Sequence, residues 1–441
     1  MSDDAAVGLP EAVAIEVGLI VGAGLFSLTG VAADFAGTGL PLAYVVTFAV
    51  VGASLVPTAA LGAAYPTTAG NYRYPSRLWS PAAAFVAAWG LAISMFGGGL
   101  PVYALGFGQS LGEVVSVDPR AVGVVVLTGF FLVNLVGIRL AARVQLLMFG
   151  TLVASLLVFV VLGVPAVEPA NLAPPLSTGV SGVLTGAAVL YFVSLGANFI
   201  VDLGEDVRAA TVTIPRSFLV SVPFVFVLYL LVSVVAVGTV GVESMAGEPL
   251  AVPAGAALSP TAATVFVVGG ATFAVATTIN AVFMITPKYF GALVDDRLFP
   301  AALARENDRF GTPHWGLTTI WLLSVASLLS PLPLSKLGSL LAMGGITLIV
   351  AVMVAAVTFV RERPGEFAAL DFPLSGRVVV GCAVFAAVMN VPLLFMLAAQ
   401  TPLVFAGWVG VTVVGGGVIL WTRVRYFAAR GVDVLDVADD L

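Results

Sequence analysis

The residues best placed to do chemistry are backbone groups in Gly18-Leu19-Ile20-Val21-Gly22-Ala23-Gly24-Leu25-Phe26. The motif lies inside a long apolar segment. In hydrocarbon, every N–H and C=O must find a partner within its own helix or in a cavity. Two glycines flanking Ala23 permit a helix to unwind there and let a ligand touch the main chain. A half-helix restarting near Leu25 would then aim its positive N-terminal end at an anion such as a carboxylate. The same glycines would also suit close helix packing, and from this motif alone the two readings stand level. A second stretch, Tyr191-Phe192-Val193-Ser194-Leu195-Gly196-Ala197-Asn198, sets one glycine amid small and polar residues in another apolar segment. Paired interruptions at corresponding positions of two halves point to a binding site between them, which favours the ligand reading.

A few polar side chains share these segments. Glu16 precedes Gly22 by six residues, about 9 Å along a helix. An intramembrane carboxyl is costly and marks a candidate proton carrier; the alternative is a glutamate reaching the interface beside Glu11. Thr277 and Thr278, together with carbonyls near Val21, offer hard oxygens for a sodium ion. The simpler reading is hydroxyls bonded to their own helix turn. Glu205, Asp206 and Arg208 read as a salt-bridge network closing the cytoplasmic side, which Arg73 and Arg139 could join. Asp34 and Asp202 read as interfacial, and Asn134, Asn198 and Asn280 as bridges between helices. With one cysteine (Cys382) and one histidine (His314) there is no disulfide framework and no Cys/His metal centre. No Gly-x-x-x-x-Gly-Lys-Ser/Thr loop is present. No cofactor is expected apart from a coupling sodium ion or proton, and no nucleic-acid partner.

The elements that must hold these residues follow from composition. Of 441 residues, 60 % are apolar and only 10 % charged, against roughly 25 % charged in a soluble domain. The runs 35–72, 78–112, 169–201, 249–287 and 378–422 contain no charge at all. Such lengths suit helices, which need about 20 apolar residues to span, rather than barrel strands, which need about 10. The chain therefore reads as an all-α polytopic membrane protein. Spans are expected at 11–35, 40–64, 82–112, 119–138, 144–164, 180–202, 216–240, 258–287, 315–331, 336–360, 376–398 and 402–423. With the N-terminus inside, sixteen basic residues fall on cytoplasmic segments, and only Arg120 and Lys336 fall outside. Both ends are thus expected in the cytoplasm, and the start shows no basic region of a cleaved signal.

Four motifs, taken in order, carry a family resemblance. The first-span glycines resemble the Ile-Gly-x-Gly-Ile-Phe element of amino acid/polyamine/organocation permeases. Tyr65-Pro66-Thr67-Thr68-Ala69-Gly70-Asn71-Tyr72 is similar to that family's Tyr-Pro-x-x-Gly-Gly-x-Tyr loop. Leu203-Gly204-Glu205-Asp206-Val207 through Ile214-Pro215-Arg216 resembles its acidic, then Pro-Arg, loop. Asp295-Asp296-Arg297-Leu298-Phe299-Pro300 with Gly311-Thr312-Pro313 resembles the loop after span eight. Residues 315–441 match only in hydropathy and span count.

The resemblance implies a five-plus-five inverted repeat over 11–164 and 180–360. Helices eleven and twelve (376–423) are appended, with a cytoplasmic start (1–10) and an acidic cytoplasmic tail (424–441). It implies a substrate carboxylate on N–H groups of Ala23 and Gly24, beside Gly22 and Gly196. The amine would meet carbonyls of Ile20, Phe192 and Leu195, and the Phe192 ring would form an extracellular-side gate. The usual lysine of span five is absent here, Gln145 to Gly163 being neutral. The expectation is a secondary active amino acid transporter in the cytoplasmic membrane, working by alternating access around a midplane site. Without mid-depth charge, small neutral or apolar amino acids lead. An exchanger, or a carrier of polyamines or other organic amines, is the alternative, and a membrane-embedded enzyme or a channel a remote one. Oligomeric state leaves no signal in the sequence.

Overall fold

The structure, a computed structural model, describes residues 6–112 and 115–436, with backbone but no side chain for Ala23, Ser27, Phe192, Val193, Leu195, Leu334 and Ser335. Residues 1–5 of the expected cytoplasmic start and 437–441 of the expected acidic tail lie outside it. The described residues are mainly helical, with no β-strand among them. In order they form α1 (Leu9–Ile20), α2 (Ala23–Ala36), α3 (Leu40–Ala64), α4 (Gly70–Leu78), α5 (Pro81–Ser94) and α6 (Leu100–Gly112). Next come α7 (Pro119–Val136), α8 (Ile138–Gly163), α9 (Gly179–Val193) and α10 (Ala210–Met245). After these run α11 (Ala251–Ala257), α12 (Pro260–Phe266), α13 (Phe273–Asp295), α14 (His314–Leu328) and α15 (Leu334–Glu362). The last four are α16 (Pro364–Ala369), α17 (Gly376–Gln400), α18 (Pro402–Val409) and α19 (Gly416–Ala428).

Among the described residues, ten helical segments are long and apolar enough to cross a membrane. Two further traversals account for the difference from twelve: α1 and α2, of 12 and 14 residues, form one interrupted span, and α14 has only 15 residues. π-helical turns at Met95–Gly99, Val267–Thr272 and Gly410–Gly415 join α5 to α6, α12 to α13 and α18 to α19. Such turns inside long helices concentrate near functional sites.

Packing places the first span at the centre. α1 touches α10, α8, α13 and the segment after α9, and Ala12, Ile15, Glu16, Val17 and Ile20 are completely buried. α2 lies against α9, α15 against α5 and α17, and α3 against α10 and α17. At the periphery, large apolar side chains face outward. Val125 in α7 is 70 % exposed, Phe395 in α17 67 % and Leu403 in α18 87 %, the mark of a lipid-facing surface.

Two features differ from the sequence expectation. Residues 70–78, expected as loop, form the short helix α4, which packs against α15 and α5. Ala69 makes the turn into it in the left-handed region, φ 54° and ψ 48°. Asp202, expected at an interface, is wholly buried. The reason is the same in both cases: α4 folds back over the end of the sixth span, which hydropathy along the chain does not register.

Candidate functional site

The first span breaks at Val21 and Gly22. The last helical bond of α1 runs from Val21 N–H to Val17 O at 2.7 Å, and Gly22 is extended at ψ −165°. α2 begins at Ala23, two residues earlier than the expected restart near Leu25. The first N–H groups of any helix have no partner within it, so the amides at Ala23 and Gly24 sit at a positive helix end.

Each glycine here has its own spatial reason. Gly22 keeps a negative φ of −82°, but a Cβ on it would lie 3.0 Å from Thr278 Oγ1. Gly18 remains inside α1, where a Cβ would meet Gln145 Nε2 at 2.4 Å and Thr277 Cβ at 2.8 Å. It is a packing glycine and not part of the break.

The sixth span breaks in parallel. α9 ends at Val193, and Leu195–Asp202 continues as a 3₁₀-helix of eight residues. Runs beyond three or four residues are uncommon because the hydrogen-bond geometry is poorer. A Cβ on Gly196 would lie 2.3 Å from the carbonyl oxygen of Leu19. The two interrupted spans therefore meet backbone to backbone. The gate expected of the Phe192 ring, and the side chains of Leu195 and Ala23, lie outside the described residues.

A cavity of about 870 Å³ opens where the breaks meet. Gly22, Gly24, Gly196 and Thr278 line it beside Leu91, Met95, Leu341, Ile346 and Ile349, and no Asp, Glu, Lys, Arg or His is among its lining residues. It extends toward Phe35 and Gln400, the far ends of α2 and α17, and in the other direction to Phe199 and Tyr289. A second, polar cavity of about 530 Å³ lies on the N-terminal side, lined by Arg73, Arg139, Glu205, Asp206, Lys288 and Asp295 among others. Tyr289 faces the first cavity and its helix neighbour Lys288 the second.

A polar layer joins the elements between them. The Asp202 carboxylate accepts from Asn71 N–H at 2.8 Å, Asn71 Nδ2 at 2.9 Å and Tyr289 O–H at 2.8 Å. Asn198 accepts from Thr58 at 2.8 Å and, through its carbonyl, from Asn71 Nδ2 at 3.0 Å. Below it, Arg77 grips Asp296 with both nitrogens, at 2.7 and 2.5 Å, and Tyr72 O–H bonds the same carboxylate. Burial alone would lower the pKa of Arg77, but the bond to Asp296 and that group's charge outweigh it and raise it.

The three residues expected as a cytoplasmic gate do share one loop. Val7 bridges it, donating to Asp206 O and accepting from Arg208 N–H. Glu205 accepts from Thr68 N–H at 3.3 Å. Lys288 pairs with Asp206 at 2.6 Å, and Arg73 pairs with Asp295.

The ion-coupling candidates separate. Thr278 Oγ1 lies 2.8 Å from Gly18 O and 3.1 Å from Ala274 O; Thr277 Oγ1 lies 2.8 Å from Ala274 O and 3.4 Å from Gly18 O. The α1 carbonyl they reach is thus one turn before Val21. Glu16 does not extend to the interface: it is buried against Ser217 and Ser221 of α10. Asn134 and Asn280 bridge helices as expected, Asn134 donating to Asn280 at 3.0 Å and Asn280 to Gln145 at 2.9 Å. Sequence reasoning missed Ser217, Ser221 and Tyr229, which share one buried face of α10. Their polar groups at helical spacing in an otherwise apolar span were the available signal.

Comparison with known proteins agrees with this geometry. The model of the family described as amino acid permease matches residues 7–419. An uncharacterized transporter of Mycobacterium tuberculosis (strain H37Rv) is 28 % identical over 312 residues, 70 % of each chain. The branched-chain amino acid permease BcaP of Bacillus subtilis (strain 168) is 24 % identical over 372 residues, 79 % of each chain. The vacuolar cationic amino acid transporter 2 of Arabidopsis thaliana is 27 % identical, over 85 % of this chain and 62 % of its own. With interrupted first and sixth spans around a cavity and a family match running almost end to end, the chain belongs to the amino acid permease family of membrane transporters.

Proposed function

We propose that this permease carries neutral amino acids with apolar side chains by alternating access. The observation that carries the reading is the uncharged cavity at the junction of the two breaks. Its volume of about 870 Å³ falls within the range typical of small-molecule sites. The substrate carboxylate rests on the N-terminus of α2, at Gly22, Ala23 and Gly24, where free amides and the helix dipole favour an anion. The ammonium lies against carbonyls of Ile20, Phe192 and Leu195, beside Gly196. The side chain enters the wall formed by Leu91, Met95, Leu341, Ile346 and Ile349. A cationic or anionic side chain would need a fixed opposite charge, and the lining supplies none. The relative named a branched-chain permease fits this chemistry better than the one named a cationic transporter.

Transport follows from two groups of helices rocking about the site, spans one, two, six and seven against three, four, eight and nine. Residues 11–164 and 180–360 form the two inverted five-helix repeats, and helices eleven and twelve flank them. The sixteen-to-two distribution of basic residues supports a cell-membrane orientation with both termini on the cytoplasmic side. The Asp202–Asn71–Tyr289 layer then seals the cytoplasmic side while the cavity reaches outward.

The test is a thermal-unfolding screen of the purified protein against the twenty amino acids and a set of polyamines. A ligand at a hundred times its Kd adds about 2.7 kcal/mol. Leucine, isoleucine and valine should raise Tm, whereas arginine, glutamate and putrescine should not. A shift confined to charged amino acids or polyamines overturns the reading.

A further inference from the structure

The carboxyl of Glu16 lies one helical turn before Ile20, fully buried at the contact between α1 and α10. Ser217 Oγ is 2.6 Å from Glu16 Oε1 and Ser221 Oγ bonds Oε2. Ser217 Oγ is also 2.8 Å from the carbonyl oxygen of Ile214. That second acceptor gives the cluster two complete bonding patterns, because each serine has one proton to donate. With Glu16 ionised, both serines donate to it. With Glu16 protonated on Oε1, the acid donates to Ser217 Oγ, Ser217 turns its own proton to Ile214 O, and Ser221 still donates to Oε2. Both states are satisfied by rotation of one hydroxyl.

The surroundings leave this switch to the serines. Among the described residues they are the only hydrogen-bond partners of the carboxyl. On α1 the nearest acid is Glu11, which binds Gly8 N–H at 2.9 Å. α10 carries Arg216, which is exposed, and Tyr229, whose hydroxyl donates to Ile20 O at 3.0 Å. α8 carries Arg139 and Arg143 in its first turns and then the neutral Gln145, which donates to Ala14 O at 3.2 Å. α13 carries Lys288, paired with Asp206, and Tyr289, bonded to Asp202 at the end of the 3₁₀ segment.

Three hydrogen bonds therefore fasten α1 to α10, two at Glu16 and one at Ile20, where the substrate break begins. α1 and α10 belong to the same moving group, so the carboxyl is exposed when α1 hinges at the Gly22 break within that group, which strips it of both serines and admits water. Returning it requires the compact, desolvated arrangement again, in which an intramembrane acid is a natural proton relay. We propose that Glu16, with Ser217 and Ser221, binds and releases the proton that drives uptake, one proton accompanying each substrate. The inference rests on the transporter reading above.

The experiment uses purified protein in liposomes, with an imposed pH gradient and the membrane potential clamped. Radiolabelled leucine is the probe. Wild type accumulates leucine, equally in sodium and in choline. E16Q loses accumulation yet retains leucine–leucine exchange, which shows that it is folded. The S217A/S221A double variant also exchanges, with the pH of half-maximal uptake displaced. Accumulation by E16Q at the wild-type level, or accumulation that needs sodium, overturns the proposal. Should the wild type neither take up nor exchange leucine, the substrate reading fails instead. The proton site is then read without substrate, by infrared difference spectra between acid and alkaline pH. A carboxylic-acid band that titrates in the wild type and is missing in E16Q supports it, and identical spectra overturn it.

Discussion

Tyr229 of α10 donates its hydroxyl to the carbonyl oxygen of Ile20, 3.0 Å away, at the last helical residue of α1. That carbonyl has lost its helical partner to the break, and the tyrosine fixes where it points. The ring stays in place through edge contacts with Tyr44 and Phe48, at 5.2 and 5.6 Å. Tyr229→Phe should therefore leave the fold intact and cost about 1 kcal/mol of orientation, roughly a fivefold weaker leucine affinity. Titrating leucine against Tm in both proteins checks it.

Gly196 tests whether the two breaks must touch. An alanine Cβ there would sit 2.3 Å from the Leu19 carbonyl oxygen, and backbone cannot yield as a flexible side chain does. Gly196→Ala should abolish leucine exchange and lower Tm. Gly52 in α3 has open space around it, so Gly52→Ala should transport normally and gain up to about 1 kcal/mol from helix propensity.

Arg77 and Asp296 are nearly buried, with 7 % and 5 % of their side chains exposed. Removing one member leaves a buried charge alone, a loss of about 3–5 kcal/mol. Arg77→Leu and Asp296→Leu should each aggregate or unfold well below the wild-type Tm. The double leucine variant should recover most of that loss. Thermal unfolding of all four proteins in detergent decides it.

How far these relationships were legible in the sequence depends on distance along the chain. Most span ends fall within a few residues of expectation because hydropathy and proline–glycine punctuation are local signals. The breaks at Gly22 and beyond Val193 were legible as well, since paired interruptions in two apolar segments point to a site between them, although each glycine alone also suits packing. Asp202 was not, because what buries it is Asn71 and Tyr289, 131 and 87 residues away. Lys288 as partner of Asp206 was missed for the same reason, as Arg208 was the nearer cation. Gly18 was given no separate role by the sequence, and its approach to Gln145 and Thr277 shows it to be packing.

Side-chain size selection should reside in Leu341 and Met95, which face the cavity from α15 and from the π-turn after α5. Leu341→Ala removes contacts with a branched substrate and adds room. A missing methylene contact is worth about 1–3 kcal/mol, so leucine affinity should fall roughly tenfold or more while phenylalanine gains. Competition of unlabelled amino acids against labelled leucine gives the profile.

The 3₁₀ run at Leu195–Asp202 holds chain in reserve. Eight residues rise about 16 Å in this geometry and about 12 Å as α-helix, at roughly 2.0 and 1.5 Å per residue. Rewinding the run would shorten it by about 4 Å and turn Asp202 some 140° relative to Leu195, at about 120° against about 100° for each of the seven steps between them. A tightly coiled strip of that kind converts a change of pitch into both a tug and a twist, delivered at the layer that separates the two cavities.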